Sequence, residues 1–244
     1  MKKGGIKMET RNVPAQDAKQ SDKPWPLTKA QWALYYWLLA HSKWNSFEHE
    51  NHYYIYKNSY TNAKVMEATG IKSRSTIIAA YKKLLEVGAL ETHPYHEDAY
   101  IIRTTRLYVP MNVAVLRFLL AFNTYLDPSL LITTFAILAR MSKLEKGKPI
   151  DFTRATLAGL LGLAKQNVDS AGITLILAVL EHAQLIQLVK VPYKNQLKVD
   201  CIRYSLIKVD TEGHGVVGLL NDTQEFEGAD IKKLWTRILE VEPD

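Results

Sequence analysis

Two segments of the chain share one pattern of helix-capping residues and glycines, and this duplication restricts the folds open to the sequence. In the first segment Gly70 follows Thr61 by nine residues, and in the second Gly162 follows Thr153 by nine. Threonine is a favoured helix N-cap, and glycine takes the left-handed conformation that often ends a helix. A longer helical pattern follows each glycine. The sequence therefore predicts a helix-turn-helix unit that occurs twice.

The second helix of the first unit is predicted over residues 74–87, with Ser73 as its N-cap. Its inward face is expected to hold the apolar residues found at helical spacing, namely Ile77, Ile78, Tyr81, Leu84 and Leu85. Near its start we expect cations beside short hydroxyl side chains to be exposed: Lys72, Ser73, Arg74, Ser75 and Thr76. A recognition helix presents this end to the major groove of DNA.

Each helix pair is followed by two strand-like segments around a polar turn, which predicts a hairpin after each unit. The predicted strands are 90–92 and 100–109 in the first copy, and 185–191 and 197–207 in the second. Helices followed by such a hairpin form the winged-helix plan, with the hairpin as the wing. Arg103 and Arg106 would make the first wing positive, and Lys194 would lie at the tip of the second. Two copies of this plan are stronger evidence for a winged-helix protein than a single helix pair would be.

The predicted fold class is mainly α with small β-hairpins (α+β), arranged as two tandem winged-helix domains. The predicted parts are a flexible basic arm (1–23), winged-helix domain 1 (24–110), a connecting helix (111–126), winged-helix domain 2 (127–209), and a loop with a C-terminal helix (210–244). The arm could follow DNA phosphates or have no role. The connecting helix could pack between the domains or form a dimer interface. The aromatic residues of the first helix are expected to serve the core or a subunit contact.

Charge and cysteine content limit the class of protein. The chain has 244 residues, a formal net charge of +6 and a pI near 9.2, which permits a polyanionic partner without proving one. The single cysteine, Cys201, cannot form an internal disulfide, which suits the cytoplasm. No secretory signal and no bilayer-length apolar run is apparent, so we expect a cytoplasmic protein without a membrane partner.

Enzyme motifs are not apparent in the sequence. A glycine-rich phosphate loop and a Gly-x-Ser-x-Gly elbow are both missing. Two pairs of histidines could hold a metal, although chance spacing in loops is the preferred interpretation: His49 with His52, and His93 with His96. We therefore expect no enzyme activity, no catalytic site, no metal and no cofactor.

The sequence supports contacts with DNA better than it supports an enzyme or metal site. Arg74 is the preferred base reader, because its planar fork matches a guanine edge, whereas Ser75 and Thr76 would position the helix. Phosphate contacts in the first copy are expected from Lys64, Lys72, Lys82, Lys83, Arg103 and Arg106. The candidates in the second copy are Arg154, Lys165, Gln166, Asn167, Ser170 and Lys194.

Two stretches of sequence, each with its hairpin, carry a resemblance to the tandem winged-helix replication initiator (Rep-type) proteins of bacterial plasmids and phages. They are TNAKVMEATGIKSRSTIIAAYKKLLEVGAL and FTRATLAGLLGLAKQNVDSAGITLILAVLEHAQLI. The resemblance implies binding to repeated origin sites, switching between dimer and monomer, and recruitment of host helicase or primase. The second copy is poorer in basic residues, which leaves open whether it reads DNA or mediates dimerisation.

Three functions follow from the sequence. The first is a sequence-specific double-stranded DNA-binding protein, in particular a plasmid or phage replication initiator. The second is a winged-helix transcriptional regulator, which the residues do not separate from the first. The third belongs to another class, a protein–protein adaptor or helicase loader in replication.

Overall fold

The computed structural model is mainly helical with small antiparallel sheets, which confirms the predicted α+β class. The structure describes residues 9–15, 25–45, 52–144, 149–163, 170–190, 197–200, 207–209, 215–217, 226 and 228–240. The helices are α1 (Lys29–His41), α2 (Asn62–Thr69), α3 (Arg74–Glu86), α4 (Val113–Leu120), α5 (Pro128–Leu144), α6 (Arg154–Leu160), α7 (Ser170–His182) and α8 (Ile231–Glu240). The strands are β1 (Thr10–Pro14), β2 (Lys43–Asn45), β3 (His52–Tyr56), β4 (Leu90–Thr92), β5 (Ala99–Ile102), β6 (Tyr108–Asn112), β7 (Ile150–Phe152), β8 (Gln187–Lys190), β9 (Leu197–Asp200), β10 (Ile207–Val209) and β11 (Gly215–Val217).

The helix caps predicted from the sequence are present in both copies. At the start of α2 the Thr61 hydroxyl accepts a hydrogen bond from the Lys64 backbone at 3.3 Å, and Gly70 ends the helix with φ 71°. At the start of α6 the Thr153 hydroxyl accepts from the Thr156 backbone at 3.0 Å. Gly162, with φ 70°, follows that helix. The repeated caps and glycines are therefore confirmed.

The order of elements is also repeated. The first copy runs α1, β3, α2, α3, β4 and β5, and the second runs α5, β7, α6, α7, β8 and β9. In both sheets the last strand lies between the other two, giving the orders β3-β5-β4 and β7-β9-β8. All of these pairs are antiparallel. The first sheet has β2 as an additional edge strand beside β3.

Helix α1 is buried on almost every side, as expected for a helix without a polar face. Tyr35 and Tyr36 are fully buried, and the Tyr36 hydroxyl lies 2.9 Å from that of Thr133 on α5. Burial raises the pKa of both phenols, so they stay neutral. The prediction that these aromatics belong to the core is confirmed, and they are not available to stack on bases.

Helix α4 joins the two copies through the core. All of its residues except Arg117 are buried, and it packs against α1 and α5. Its apolar surface is thus covered within one chain, by one helix from each copy. The helix is shorter than predicted: Met111 and Asn112 end β6, and a 3-10 helix occupies Ala121–Thr124. The Asn112 side chain explains this start, since it caps α4 at the Ala114 backbone (2.7 Å).

The prediction of a flexible arm over residues 1–23 is wrong for residues 10–14. These residues form β1, which pairs antiparallel with β6. Val13 and Arg11 are buried, with 0% and 1% of their surface exposed. The partner strand lies 94 to 102 residues away in the sequence (Pro14 pairs with Tyr108, and Thr10 with Asn112), and a local pattern does not reveal such a pairing. Residues 1–8 and 16–24 lie outside the described ranges.

The described residues of the C-terminal part differ from their prediction at β10 and β11. Residues 215–217, expected to be loop, form β11 and pair with β10. Strand β9 ends at Asp200, so Ile207 belongs to a different sheet from the predicted hairpin. Helix α8 is confirmed: the Asp230 carboxylate caps it at the Lys233 backbone (2.9 Å), and it packs against α7.

Replacing Gly70 by alanine should cost more stability than the same change at Gly88. Both glycines have left-handed φ angles, 71° and 70°, which cost an alanine about 1–2 kcal/mol. A Cβ at Gly70 would also lie 3.1 Å from the Asn123 carbonyl oxygen, whereas nothing lies within 4 Å of one at Gly88. Urea denaturation of both variants measures the difference. Equal losses would mean that the Asn123 backbone shifts to accommodate the new Cβ at no cost in stability.

Candidate nucleic-acid interface

Helix α3 is fixed to the core by one face. Ile77, Ala80 and Leu84 are buried on that face, and the helix packs against α1. Tyr81 stacks on Tyr100 of β5, with ring centroids 6.0 Å apart. Burial raises the pKa of the Tyr81 phenol, with Tyr60 and Tyr100 adding to the shift, so this hydroxyl stays neutral. The opposite face of α3, which includes Ile78 and Lys82, is exposed within the described part of the chain.

The turn between α2 and α3 is held by the 3-10 helix that follows α4. The Asn123 side-chain amide donates a hydrogen bond to the Ala68 carbonyl at 2.8 Å. Ile71, within the turn, is buried. Since Gly70 also lies against Asn123, the start of α3 is positioned by the segment that connects the two copies.

The start of α3 is exposed and ordered by its own hydroxyl groups. Lys72, Arg74, Ser75 and Thr76 are all exposed. The Ser73 hydroxyl accepts from the Thr76 backbone at 3.1 Å, and it lies 2.9 and 2.7 Å from the hydroxyls of Ser75 and Thr76. The Ser73 hydroxyl therefore caps the helix, the hydroxyls of Ser75 and Thr76 surround it, and Lys72 and Arg74 are exposed beside them.

The electrostatic surroundings of this helix start are positive. Residues 70–85 contain four lysines and arginines and no acidic residue. A groove of about 430 Å³ beside it is lined by Lys72 and Thr76, and the one acidic residue in that lining is Asp127. Asp127 is already engaged, because it caps α5 at the Ser129 backbone (2.9 Å) and lies 3.5 Å from Lys29. Because the Asp127 carboxylate is already engaged, it would oppose an anionic partner in this groove only weakly.

The other lysines predicted to contact phosphates in the first copy differ in exposure and in ion pairing. Lys64 is exposed on α2 and Lys82 is exposed on α3. Lys83 is half-buried and forms an ion pair with Glu86 at 2.7 Å. Such a surface pair contributes little to stability, about 1 kcal/mol or less, and it engages the Lys83 ammonium within the protein.

The predicted wing arginines do not lie on the wing. The predicted strand 100–109 is interrupted, because β5 ends at Ile102 and β6 pairs with β1 in another sheet. Arg103 follows β5 at the end of the hairpin away from the turn, and its guanidinium pairs with Glu91 at 2.6 Å. Arg106 lies in the segment that joins β5 to β6, and it is exposed. A run rich in Tyr, Ile and Val indicates strand but not which sheet it joins, which explains the error.

Only part of the site predicted for the second copy lies within the described residues. Lys165, Gln166, Asn167 and Lys194 lie outside the described residues. Ser170 is the first described residue of α7, and residues 170–182 contain no lysine or arginine. Arg154 is half-buried at the start of α6, with its Nε atom buried and without a hydrogen bond within the described ranges. Among the described residues predicted to contact DNA, the exposed cations therefore lie in the first copy.

Three of the four histidines considered as metal ligands, His52, His93 and His96, lie near one another in the first copy. His52 and His93 are buried with ring centroids 5.3 Å apart, and the rings of His93 and His96 are 4.8 Å apart. Within the described ranges, no group of three or more His, Cys, Asp or Glu side chains has an arrangement that would hold a metal. His49 lies outside those ranges.

No protein-family model, curated protein or solved structure matches the chain. None of the helices in the described part of the chain has the length and hydropathy to cross a bilayer. Function is therefore inferred from the side chains themselves.

Two residues of α3 were placed on the wrong face by the sequence pattern. Ile78 and Leu85 were predicted to point inward, but 55% and 38% of their surfaces are exposed. The reason is geometric: Ile77-Ile78 and Leu84-Leu85 are adjacent pairs, and a single inward stripe accommodates one member of each. The pairing itself was the available signal that an apolar residue would remain outside.

Proposed function

We propose that the chain comprises two tandem winged-helix domains and binds double-stranded DNA in a sequence-specific manner through the start of α3. The single observation that carries this proposal is the exposed pair Lys72 and Arg74 on a capped helix start, within a stretch that has no acidic residue. The repeated order of helices and strands supports the winged-helix interpretation. This end of a recognition helix is the part that enters the major groove.

The side chains at this surface take different roles in the proposal. Arg74 reads a guanine, because its two parallel donors match the O6 and N7 acceptors of that base. Lys64, Lys72 and Lys82 contact phosphates, which fixes the position of the helix without specifying sequence. Ser75 and Thr76 keep the start of the helix ordered and contact the sugar-phosphate backbone of the DNA.

The biological role in the proposal is initiation of replication of a plasmid or phage. Support comes from the duplication, together with the resemblance of residues 61–90 and 152–186 to initiators of this kind. The second copy then serves either a further DNA contact or dimerisation, with host helicase or primase as further partners. A transcriptional regulator would use the same chemistry, and an array of repeated binding sites near an origin distinguishes the initiator.

Duplex binding with a strong salt dependence is the expected result of the direct test. Selection of bound duplexes from a random library, followed by protection mapping, gives the site, its spacing and its symmetry. If Lys64, Lys72 and Lys82 each neutralise one phosphate, the log–log slope of affinity against salt is about −2.7 from these three alone. The measurement is a fluorescence-anisotropy titration at several salt concentrations.

Two results would contradict the proposal. Binding that does not prefer the selected site over random duplex would remove sequence specificity. A chain that shows no salt-dependent binding to any duplex would instead favour the adaptor function, in which winged helices serve as a protein-binding scaffold.

A further inference from the structure

The solvent face of α3 combines an aliphatic side chain with cations. Ile78 is 55% exposed, and Arg74 and Lys82 are exposed as well. Residues four apart are neighbours on a helix surface, so Ile78 lies between Arg74 and Lys82 along one line. A partner that matched this face in both respects would offer an apolar group within an anionic setting.

The major groove of DNA has this combination. Thymine is the base whose C5-methyl group projects into the groove, and phosphates border the groove on both sides. An apolar protein surface matches the face less well, because it would desolvate Arg74 and Lys82 without supplying counter-charges. We propose that Ile78 contacts the C5-methyl group of a thymine in the bound site, an inference that rests on the DNA-binding function proposed above. Ile78 then determines specificity beside Arg74.

Helix geometry restricts where this thymine lies. Ile78 is four residues beyond Arg74, which is about 6 Å along the helix axis. Base pairs are about 3.4 Å apart, so the thymine is expected one or two base pairs from the base that Arg74 reads. Leu85 lies on the same face but seven residues beyond Ile78, about 10 Å further from the helix start. It is therefore a matched control, being exposed and aliphatic on the same helix.

Deoxyuridine provides the test, because it lacks the methyl group and keeps the base pairing of thymine. Each thymine of the selected site is replaced singly, and the affinity of the full chain is measured by anisotropy. We expect one replacement to weaken wild-type binding about fourfold, the value of one buried methyl group. Ile78→Ala should bind the thymine and deoxyuridine duplexes equally, whereas Leu85→Ala should keep the wild-type difference. Replacing Arg74 by alanine locates the neighbouring base through relaxed preference at one position.

The possible failures can be distinguished. If the wild type binds no duplex, the proposed function itself fails and this inference with it. If binding is sequence-specific and salt-dependent but no deoxyuridine weakens it, or Ile78→Ala retains the difference, the inference alone is overturned. A change of oligomeric state in both Ile78→Ala and Leu85→Ala, measured by sedimentation, together with unchanged discrimination, would assign the face to a protein contact instead. Thermal unfolding checks that both variants remain folded, as expected for exposed positions.

Discussion

Replacing Arg11 by alanine is expected to lower the free energy of unfolding by about 3 kcal/mol. The side chain is 1% exposed, and its Nε donates to the Leu39 carbonyl and the Ser42 hydroxyl, both at 3.0 Å. A further nitrogen donates to the Ser42 carbonyl, which ties β1 to the end of α1. The guanidinium also lies 5.3 Å from the centroid of the Tyr53 ring. Alanine would remove this donor from the Ser42 carbonyl and would open a cavity, whereas the Leu39 carbonyl would keep its hydrogen bond from the Ser42 hydroxyl (2.7 Å).

Urea denaturation of the full chain measures this loss, with Arg106→Ala as the matched control. Arg106 is exposed, and its removal should change stability by about 0.5 kcal/mol or less. An arginine in a flexible arm that follows phosphates would behave differently: its loss would weaken duplex binding and leave stability unchanged. If Arg11→Ala loses no more stability than the control, residues 10–14 are not anchored to the core and belong to the flexible arm that the sequence predicted.

Reversing both charges at the start of α3, with Lys72→Glu and Arg74→Glu, is expected to weaken duplex binding about 100-fold or more. The double substitution removes one base contact and one phosphate contact, and the new carboxylates repel neighbouring phosphates. The salt dependence should also become weaker, with the log–log slope less negative by about one or two. Both positions are exposed, so stability should change little.

The control for this prediction is an equal change of charge elsewhere. Lys232→Glu with Arg237→Glu, both on exposed positions of α8, also lowers the formal net charge from +6 to +2, since each replacement changes it by two. This variant keeps Lys72 and Arg74 and changes only the surrounding field, which 0.1 M salt screens over about 10 Å, so we expect a loss below about tenfold. Equal losses in the two double variants would show that net charge, and not the start of α3, governs binding.

Local features of the fold were predictable because neighbouring residues decide them. Thr61, Ser73 and Thr153 cap helices through backbone groups three residues away, and Gly70 and Gly162 take the left-handed conformation in which glycine lacks a Cβ penalty. The repeated pattern therefore gave the order of helices without reference to the rest of the chain. For the candidate site, the sequence correctly indicated that Lys72 and Arg74 would be exposed beside the Ser73 cap.

Features that depend on distant partners were not predictable in this way. The interruption of 100–109 follows from two strands joining different sheets, and the burial of Arg11 depends on carbonyl groups at the end of α1. The exposure of Ile78 depends on which face of α3 meets α1, because either member of the pair Ile77-Ile78 satisfies the helical period. The sequence by itself thus determined the caps, the turns and the duplication, which arise from contacts within a few residues. Only the tertiary structure decided strand partners and helix faces, because those depend on surfaces brought together from far along the chain.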